Sequence, residues 1–571
     1  MVASSSRKDG LEPQYPESTY SGALNGATTI VSMDDTKKNG VNGHFYDGKI
    51  EQEEVGSLQN GSIEEHEAGS STLGVNEGGN AFMRFLRTFK MAKPGEVELV
   101  NEENAMKQRH LIMVAVGGNV GTGLFVATGK SLKNAGPASL LIAYIIMGSV
   151  AIGVVVALAE MCCMFPKQSS IVRYTSRFVN RNIAFAESWL YYFIWMAVLP
   201  SEVSAGAMIV NFWNQNVPVA VWITIFLLFI LVIQGFGARG YGEAEFISAF
   251  LKVLIMLIFF VVAIVIDCGG APNSTGYLGA HYWHDPGAFR NGFKGFCSVF
   301  VACAYSLSGT ENVGTAAGNT ANPQKAIPKA VTQVFLRTLF FYVIIIFLLT
   351  LVVPYNAPNL GDYGTGHSSA SPFILAIKLA GIRGLPHIFN AITLVAVLSV
   401  GNMSVFAASR SMIALTEEGW APKCLARLDQ KGRPLFCFAL SFAFSAVAYV
   451  NVSERASKCL TGFHIRMRWA MRTQGYGDSI LPYQFPGSIY LSIWAMIINF
   501  LASAAVIYVG LFPVTHAKPS AKNFFLETLG LVVFSAFLLL SFCLMRPKIS
   551  PLNEIDLVTE RYDQGENCGS C

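Results

Sequence analysis

A glycine-rich stretch interrupts the first long apolar run of the 571-residue chain. Its seven residues are Gly117, Gly118, Asn119, Val120, Gly121, Thr122 and Gly123. Glycine disfavours a helix interior by about 1 kcal/mol relative to alanine, so this run of glycines predicts a break. A half-helix that restarts after a break presents unpaired N–H groups and the positive end of its dipole. This stretch is therefore a predicted site for a carboxylate.

A second polar stretch interrupts a later apolar run at Tyr305, Ser306, Leu307, Ser308, Gly309, Thr310 and Glu311. Carbonyl groups freed by a break here can accept hydrogen bonds from an ammonium group. Because lipid satisfies no backbone polar group, both breaks must line a cavity or a protein interior. Close packing of small residues is enough to explain one break alone. Two breaks five spans apart favour a site for a zwitterion such as an amino acid.

Charged residues inside the apolar runs are further candidates, because charges at membrane depth are usually functional. Glu202 follows a Leu-Pro pair, and Glu311 follows the second break. Glu245 and Lys252 lie seven residues apart and so share one helical face. We expect Lys252 to act as a fixed or titrating cation in place of a sodium ion; the alternative is a structural ion pair with Glu245. Glu160 ends its run and is either functional or an interfacial anchor.

Eleven apolar runs are long enough to position these residues, since a spanning helix needs about 20 residues. They cover roughly residues 110–130, 138–165, 183–212, 218–236, 246–267, 293–318, 334–353, 386–410, 433–451, 487–512 and 523–545. Only 14% of the residues are charged, against about 25% in a soluble domain. The sequence thus predicts an all-α polytopic membrane protein with breaks in spans one and six, as five-plus-five inverted repeats require.

The sequence contains no P-loop and no catalytic constellation. We therefore expect a transporter that is neither an enzyme nor an ATP-driven pump. We also expect no cofactor, no metal site and no nucleic-acid partner.

Basic residues orient the spans. Three loops carry many of the Lys and Arg residues between spans: 166–182, 319–333 and 411–433. The positive-inside rule places these loops and the N-terminus in the cytoplasm. The segment 455–472 is also basic, yet it would be external if residues 433–451 cross the membrane. A missing helix between about residues 452 and 464 is the preferred explanation; the alternative is that 433–451 re-enters without crossing.

The chain outside the spans adds two tails and a short connecting segment. The chain is predicted to divide into four parts: a disordered cytoplasmic tail (1–75), a juxtamembrane amphipathic segment (76–108), the transmembrane domain (109–545) and a cytoplasmic C-terminal tail (546–571). In the second segment, one helical face carries Phe82, Phe85, Leu86 and Phe89 beside basic residues. Such a face suits contact with an anionic leaflet. Packing against the protein's own cytoplasmic loops is an equal alternative.

Seven stretches of the chain occur in an order that points to a known family. They are Gly117–Lys130, Ala157–Pro166, Leu199–Trp213, Tyr241–Val253, Ser308–Pro328, Val353–Asn356 and Ala407–Gly419. With them, about residues 95–550 resemble the fungal amino acid permeases of the amino acid–polyamine–organocation superfamily. The resemblance implies a LeuT-like fold with twelve spans, of which spans one and six are broken around the substrate. It also implies amino acid import across the plasma membrane, coupled to protons.

The resemblance carries residue roles by matching position. It implies that the α-carboxylate binds at Gly117, Asn119, Val120, Gly121, Thr122 and Gly123. It implies that the α-amine binds the backbone of Tyr305, Ser306 and Leu307, with Ser308 beside them and Tyr305 as a gate. Coupling or gating falls to Lys252, Glu311, Glu245 and Glu202. Ubiquitin-acceptor lysines in the tails, for which Lys8, Lys37 and Lys38 are candidates by location, imply a ubiquitin ligase adaptor as a partner.

One departure from the family pattern affects the function. The family's tenth span is absent, and Ser453–Phe463 stands where it should end, before His464. An inactive product that lacks one helix is therefore one alternative to the transporter. A non-transporting amino acid sensor is another, since such proteins can keep the fold and bind the ligand.

Overall fold

The computed structural model describes Phe89, Met91 and most of the chain from Gln108 to Leu557. Within that range it leaves out 119, 166–170, 215, 274–275, 312–322, 362–370, 446–459, 478–480, 515–520 and 546–550. The predicted tail 1–75 lies outside the described residues. Of the juxtamembrane segment, the structure describes only Phe89, Met91 and Gln108. Of the C-terminal tail, it describes only residues 551–557.

The described chain is a bundle of helices. Up to the second break it contains α1 (Gln108–Gly117), a π-helix (Gly123–Ala127), α2 (Thr128–Ala135), α3 (Pro137–Met164), α4 (Ile171–Phe178), α5 (Arg181–Val210), α6 (Val219–Gln234), α7 (Gly237–Asp267), a short π turn (Trp283–Gly287) and α8 (Gly292–Leu307). It continues with α9 (Pro323–Arg337), a π-helix (Thr338–Ile344), α10 (Ile345–Val352), α11 (Pro372–Leu379), α12 (Leu385–Glu417), a 3₁₀ turn (Lys423–Ala426), α13 (Leu435–Phe444), α14 (Leu460–Thr473), α15 (Ser488–Leu511) and α16 (Ala521–Leu544). Every one of the eleven predicted spans contains a helix.

The outer surface of the bundle suits a bilayer. By length and composition, α3, α5, α7, α12, α15 and the stretch Ile327–Val352 can each cross a membrane. Helices α6 and α7 turn large apolar side chains outward, each 57–61% exposed: Leu228, Val232, Ile247, Phe250 and Val261. Leaving such a surface in water is unfavourable, so lipid must cover it. The protein is a multi-pass membrane protein.

Contacts between helix ends identify the two faces of the bundle. Asn182, at the start of α5, donates from Nδ2 to the carbonyl of Ser541 near the end of α16, at 3.1 Å. At the other end of α5, Trp213 donates to His387 at the start of α12, at 3.1 Å. Chain direction therefore alternates between these helices, as it must when each one crosses the membrane.

Helices α13 and α14 begin and end on the same face. Just before α13, Arg433 donates to the carbonyl of Gly235, which follows α6 on the Asn182 face. Just after α14, Gln474 donates to the carbonyl of Ile555 at 2.7 Å, beyond the end of α16. The basic residues of α14 thus share a face with the other basic loops. The chain before α13 and the chain after α14 therefore lie on one face, and α16 ends on that face as well.

The sequence did not predict α14, and a buried ionic cluster explains its position. Oε2 of Glu160 in α3 lies 2.6 Å from Nε2 of His464 and 2.8 Å from Nη2 of Arg468. The other carboxylate oxygen of Glu160 accepts the N–H of Phe485 at 3.0 Å. A buried charge needs such partners, so Glu160 fixes α14 beside α3.

The juxtamembrane segment touches the protein at Phe89 and Met91. The Phe89 ring lies 3.9 Å from the guanidinium carbon of Arg433. Met91 forms an antiparallel bridge with Asp429. At these residues the second of the two expectations holds, because the segment packs against the protein's own loop.

Candidate substrate site

Both predicted breaks are present and their backbones touch. Helix α1 ends at Gly117, and the chain resumes helical structure at Gly123. Helix α8 ends at Leu307, after which Ser308 is extended and Gly309 has a φ of +77°. A Cβ built on Gly123 would lie 2.6 Å from the Cα of Ser306. Only glycine at position 123 permits this approach, which brings span one against span six.

A small cavity lies between the breaks. Its lining residues are Gly121, Thr122, Gly123, Trp195, Val198, Glu202, Tyr305, Ser308 and Val400. Its volume is about 10 Å³, which is room for roughly one water molecule. An amino acid therefore requires the lining side chains to move. Five of the predicted site residues and Glu202 meet here, whereas Trp195, Val198 and Val400 were not predicted, because apolar side chains carry no signal among so many others.

Glu202 connects the two breaks. Its Oε1 accepts the hydroxyl proton of Thr122 at 2.6 Å and that of Tyr305 at 2.5 Å. The Thr122 and Tyr305 hydroxyl oxygens are themselves 3.0 Å apart. Helices α5 and α8 are thus joined at the start of the second half of span one.

The carbonyl groups of the second break are already partly occupied. The carbonyl of Tyr305 accepts from the N–H and the hydroxyl of Ser308, at 3.2 and 2.8 Å. The carbonyl of Ser306 accepts from the Tyr342 hydroxyl at 2.8 Å. In this conformation the carbonyls of Tyr305 and Ser306, two of the three predicted to bind an amine, have partners. Of the three residues predicted to bind an amine, Leu307 is therefore the one whose carbonyl is the candidate in this conformation.

Lys252 is the best-defined cation of the site. Its side chain is fully buried, and Nζ donates to the carbonyl of Gly117 and to Oγ of Ser399, both at 2.7 Å. Glu245 lies 3.5 Å away through Oε1, and its Oε2 accepts from Ser399 at 2.8 Å. The ammonium group therefore sits at the negative end of the first half-helix. The ion pair with Glu245 is present, and the role of Lys252 as a cation in place of a sodium ion stays a prediction.

Three predicted site residues remain: Glu311, Val120 and Asn119. Glu311 is buried, 2% exposed, directly after the second break. It acts electrostatically on Arg337, a buried residue that the sequence interpretation missed. Val120 is buried at the first break, and Asn119 lies outside the described residues.

Two interrupted helices enclose a small polar cavity, and a buried cation lies at the end of one of them. This arrangement is typical of a membrane transporter for a small charged or zwitterionic substrate. Comparison with known proteins specifies the class. The amino acid permease family matches residues 110–463. The chain is similar to amino-acid permease 1 of Schizosaccharomyces pombe, at 54% identity over 85% of this chain and 84% of that protein.

More distant relatives agree. The general amino-acid permease GAP1 of Saccharomyces cerevisiae is 38% identical, over 80% of this chain and 82% of its own. Amino-acid permease inda1 of Hypocrea atroviridis is 37% identical, over 82% and 85%. The chain belongs to the amino acid permease family and is a transporter, not an enzyme.

Proposed function

We propose that this permease imports amino acids across the plasma membrane together with protons. The α-carboxylate binds at the restarted half-helix around Gly121, Thr122 and Gly123, and the α-amine binds near Leu307. The observation that carries the proton coupling is the position of Lys252.

Lys252 supplies a permanent cation where a transporter of this architecture would hold a mobile one. Coupling ions in broken-helix transporters bind unwound carbonyls and the C-terminal ends of half-helices. The Lys252 ammonium contacts the carbonyl of Gly117, the last residue of α1, at 2.7 Å. Because a covalently attached cation fills this place, the coupling ion is a proton rather than a metal cation.

The charge balance around the breaks supports the same proposal. Five buried side chains there act on one another electrostatically: Lys252, Arg337, Glu202, Glu245 and Glu311. Three carboxylates face two cations, so full ionisation leaves one negative charge in a buried site. A buried net negative charge favours the uptake of a cation, and a proton that binds together with the substrate neutralises it.

The orientation follows from the basic face. Arg173, Arg177 and Arg433 lie at the face where α5 begins, and the positive-inside rule places that face in the cytoplasm. The N-terminal tail is then cytoplasmic as well. A ubiquitin ligase adaptor that acts on tail lysines, such as Lys8, would reach them there.

The test uses the full-length protein in liposomes. Uptake of radiolabelled amino acids should rise when the outside is acidified and should collapse with a protonophore. Lys252→Ala should lose this coupled uptake, whereas Lys130→Ala, which changes an exposed lysine, should retain it. Uptake that ignores the proton gradient would contradict the coupling, and wild-type uptake by Lys252→Ala would contradict the role of Lys252.

A further inference from the structure

We propose that the carboxylate of Glu202 occupies the place that the α-carboxylate of the substrate takes, so that substrate binding and protonation of Glu202 occur together. The inference rests on the proposed function, because it assumes that amino acids bind at this break. It assigns Glu202 the role of an internal competitor that a proton removes.

Glu202 lies where a substrate carboxylate is expected, at the N-terminus of the restarted half-helix. One carboxylate oxygen accepts from the Thr122 hydroxyl at 2.6 Å, at the start of that half-helix. The other, Oε2, is buried and has no hydrogen-bond partner within the described part of the chain, and a Cβ built on Gly121 would lie 3.5 Å from it. Glu202 thus approaches the same glycine-flanked turn that the sequence assigns to the substrate.

The carboxylates of Glu202 and of the substrate cannot occupy this site at the same time, for reasons of space and of charge. The adjoining cavity of about 10 Å³ is far too small for an amino acid beside the glutamate, since it holds roughly one water. Two ionised carboxylates at one buried half-helix end would also repel each other strongly. The substrate must therefore displace Glu202, and the displaced group must lose its charge.

The described groups that face Glu202 provide no unengaged cation to balance its charge, so Glu202 loses the charge by binding a proton. Span one contributes Thr122 and span six contributes Tyr305, and both donate neutral hydroxyl hydrogen bonds. The nearby cation, Lys252 of α7, is engaged by Gly117, Ser399 and Glu245. On α12, Val400 lines the cavity beside Glu202 without any charge.

The exchange balances. On the outside, the zwitterion enters and one proton from solvent bonds to an oxygen of the displaced Glu202. On the inside, the zwitterion leaves, the proton returns to water and the glutamate rebinds at Thr122. One amino acid and one proton cross together, and no other reactant is consumed.

The test is the number of protons bound per amino acid at equilibrium, measured by titration calorimetry in buffers of different ionisation enthalpy. The purified full-length protein is titrated with L-leucine, L-glutamine and L-lysine in turn. Binding of an accepted amino acid should take up about one proton, and the apparent affinity should rise about tenfold per pH unit of acidification. Binding without proton uptake would overturn the inference.

Glu202→Gln keeps the shape but removes the competing charge. It should bind the same amino acid without proton uptake and without pH dependence, whereas Glu243→Gln, an exposed control, should behave as wild type. A Glu202→Gln protein that still takes up one proton, or that folds but no longer binds, would contradict the exchange. If this variant does not fold, the wild-type proton count decides alone. Failure of the liposome uptake assay would instead count against the proposed function.

Discussion

Glu160 and Glu202 are both buried carboxylates in the bundle, with side chains 0% and 1% exposed, but their partners differ. Glu160 faces Arg468 and His464 within 2.8 Å. Among the described residues, the hydrogen-bond donors to Glu202 are two neutral hydroxyl groups, of Thr122 and Tyr305. A carboxylate with a cationic partner has no reason to titrate, so Glu160 holds two helices together. A carboxylate held by neutral donors can gain a proton and be released, as the proposed exchange requires.

The largest expected effect is at Glu160. Glu160→Ala leaves Arg468 buried without its acid, and breaking a buried pair in this way costs about 3–5 kcal/mol. We expect a strong loss of folded protein, measured as the midpoint of thermal unfolding in detergent. Glu243→Gln is the exposed control. A fully stable Glu160→Ala protein would mean that α14 is held by apolar packing alone.

A smaller effect is expected at the contact between the two breaks. In Gly123→Ala, the new methyl group would meet the Ser306 backbone at 2.6 Å, and overpacking of this kind costs about 1–3 kcal/mol. Initial rates of amino acid uptake should fall with little loss of folded protein. Gly206→Ala is the matched control, because its nearest neighbour would be an ordinary 3.4 Å away. Equal uptake rates in both variants would show that transport does not need the close contact between Gly123 and Ser306.

Tyr305→Phe should loosen Glu202 without removing it. The variant loses a 2.5 Å hydrogen bond to the carboxylate, and hydrogen bonds to charged groups contribute about 1.5–3 kcal/mol. Because Glu202 competes with the substrate, we expect amino acids to bind at least about tenfold more tightly, measured by calorimetry at neutral pH. Weaker binding would indicate that Tyr305 contacts the substrate rather than restraining Glu202.

The smallest effect is expected at an exposed carboxylate. Asp556 is 49% exposed and lies 3.2 Å from Arg177. Surface ion pairs contribute about 0–1 kcal/mol, so Asp556→Asn should change the unfolding midpoint and the uptake rate very little. A loss as large as that of Glu160→Ala would mean that residues 551–557 hold the cytoplasmic face together.

The helices and both breaks could be predicted from sequence because apolar length and glycine clusters are local properties. The helix α14 could not, because it lacks the apolar length of a span and depends on a distant acid, Glu160. The partners of Glu202 were equally hidden, since Thr122 and Tyr305 come from two other spans. The occupied carbonyls of Tyr305 and Ser306 depend on local turn geometry that hydropathy does not report.

The most direct test of the coupling role of Glu202 is the behaviour of Glu202→Gln in liposomes, where net accumulation and exchange are measured on one preparation. With an acidic exterior, the wild type should concentrate a radiolabelled amino acid. Glu202→Gln should exchange labelled for unlabelled amino acid but should not accumulate it against a gradient. Accumulation by Glu202→Gln equal to that of the wild type would contradict the claim that Glu202 carries the coupled proton.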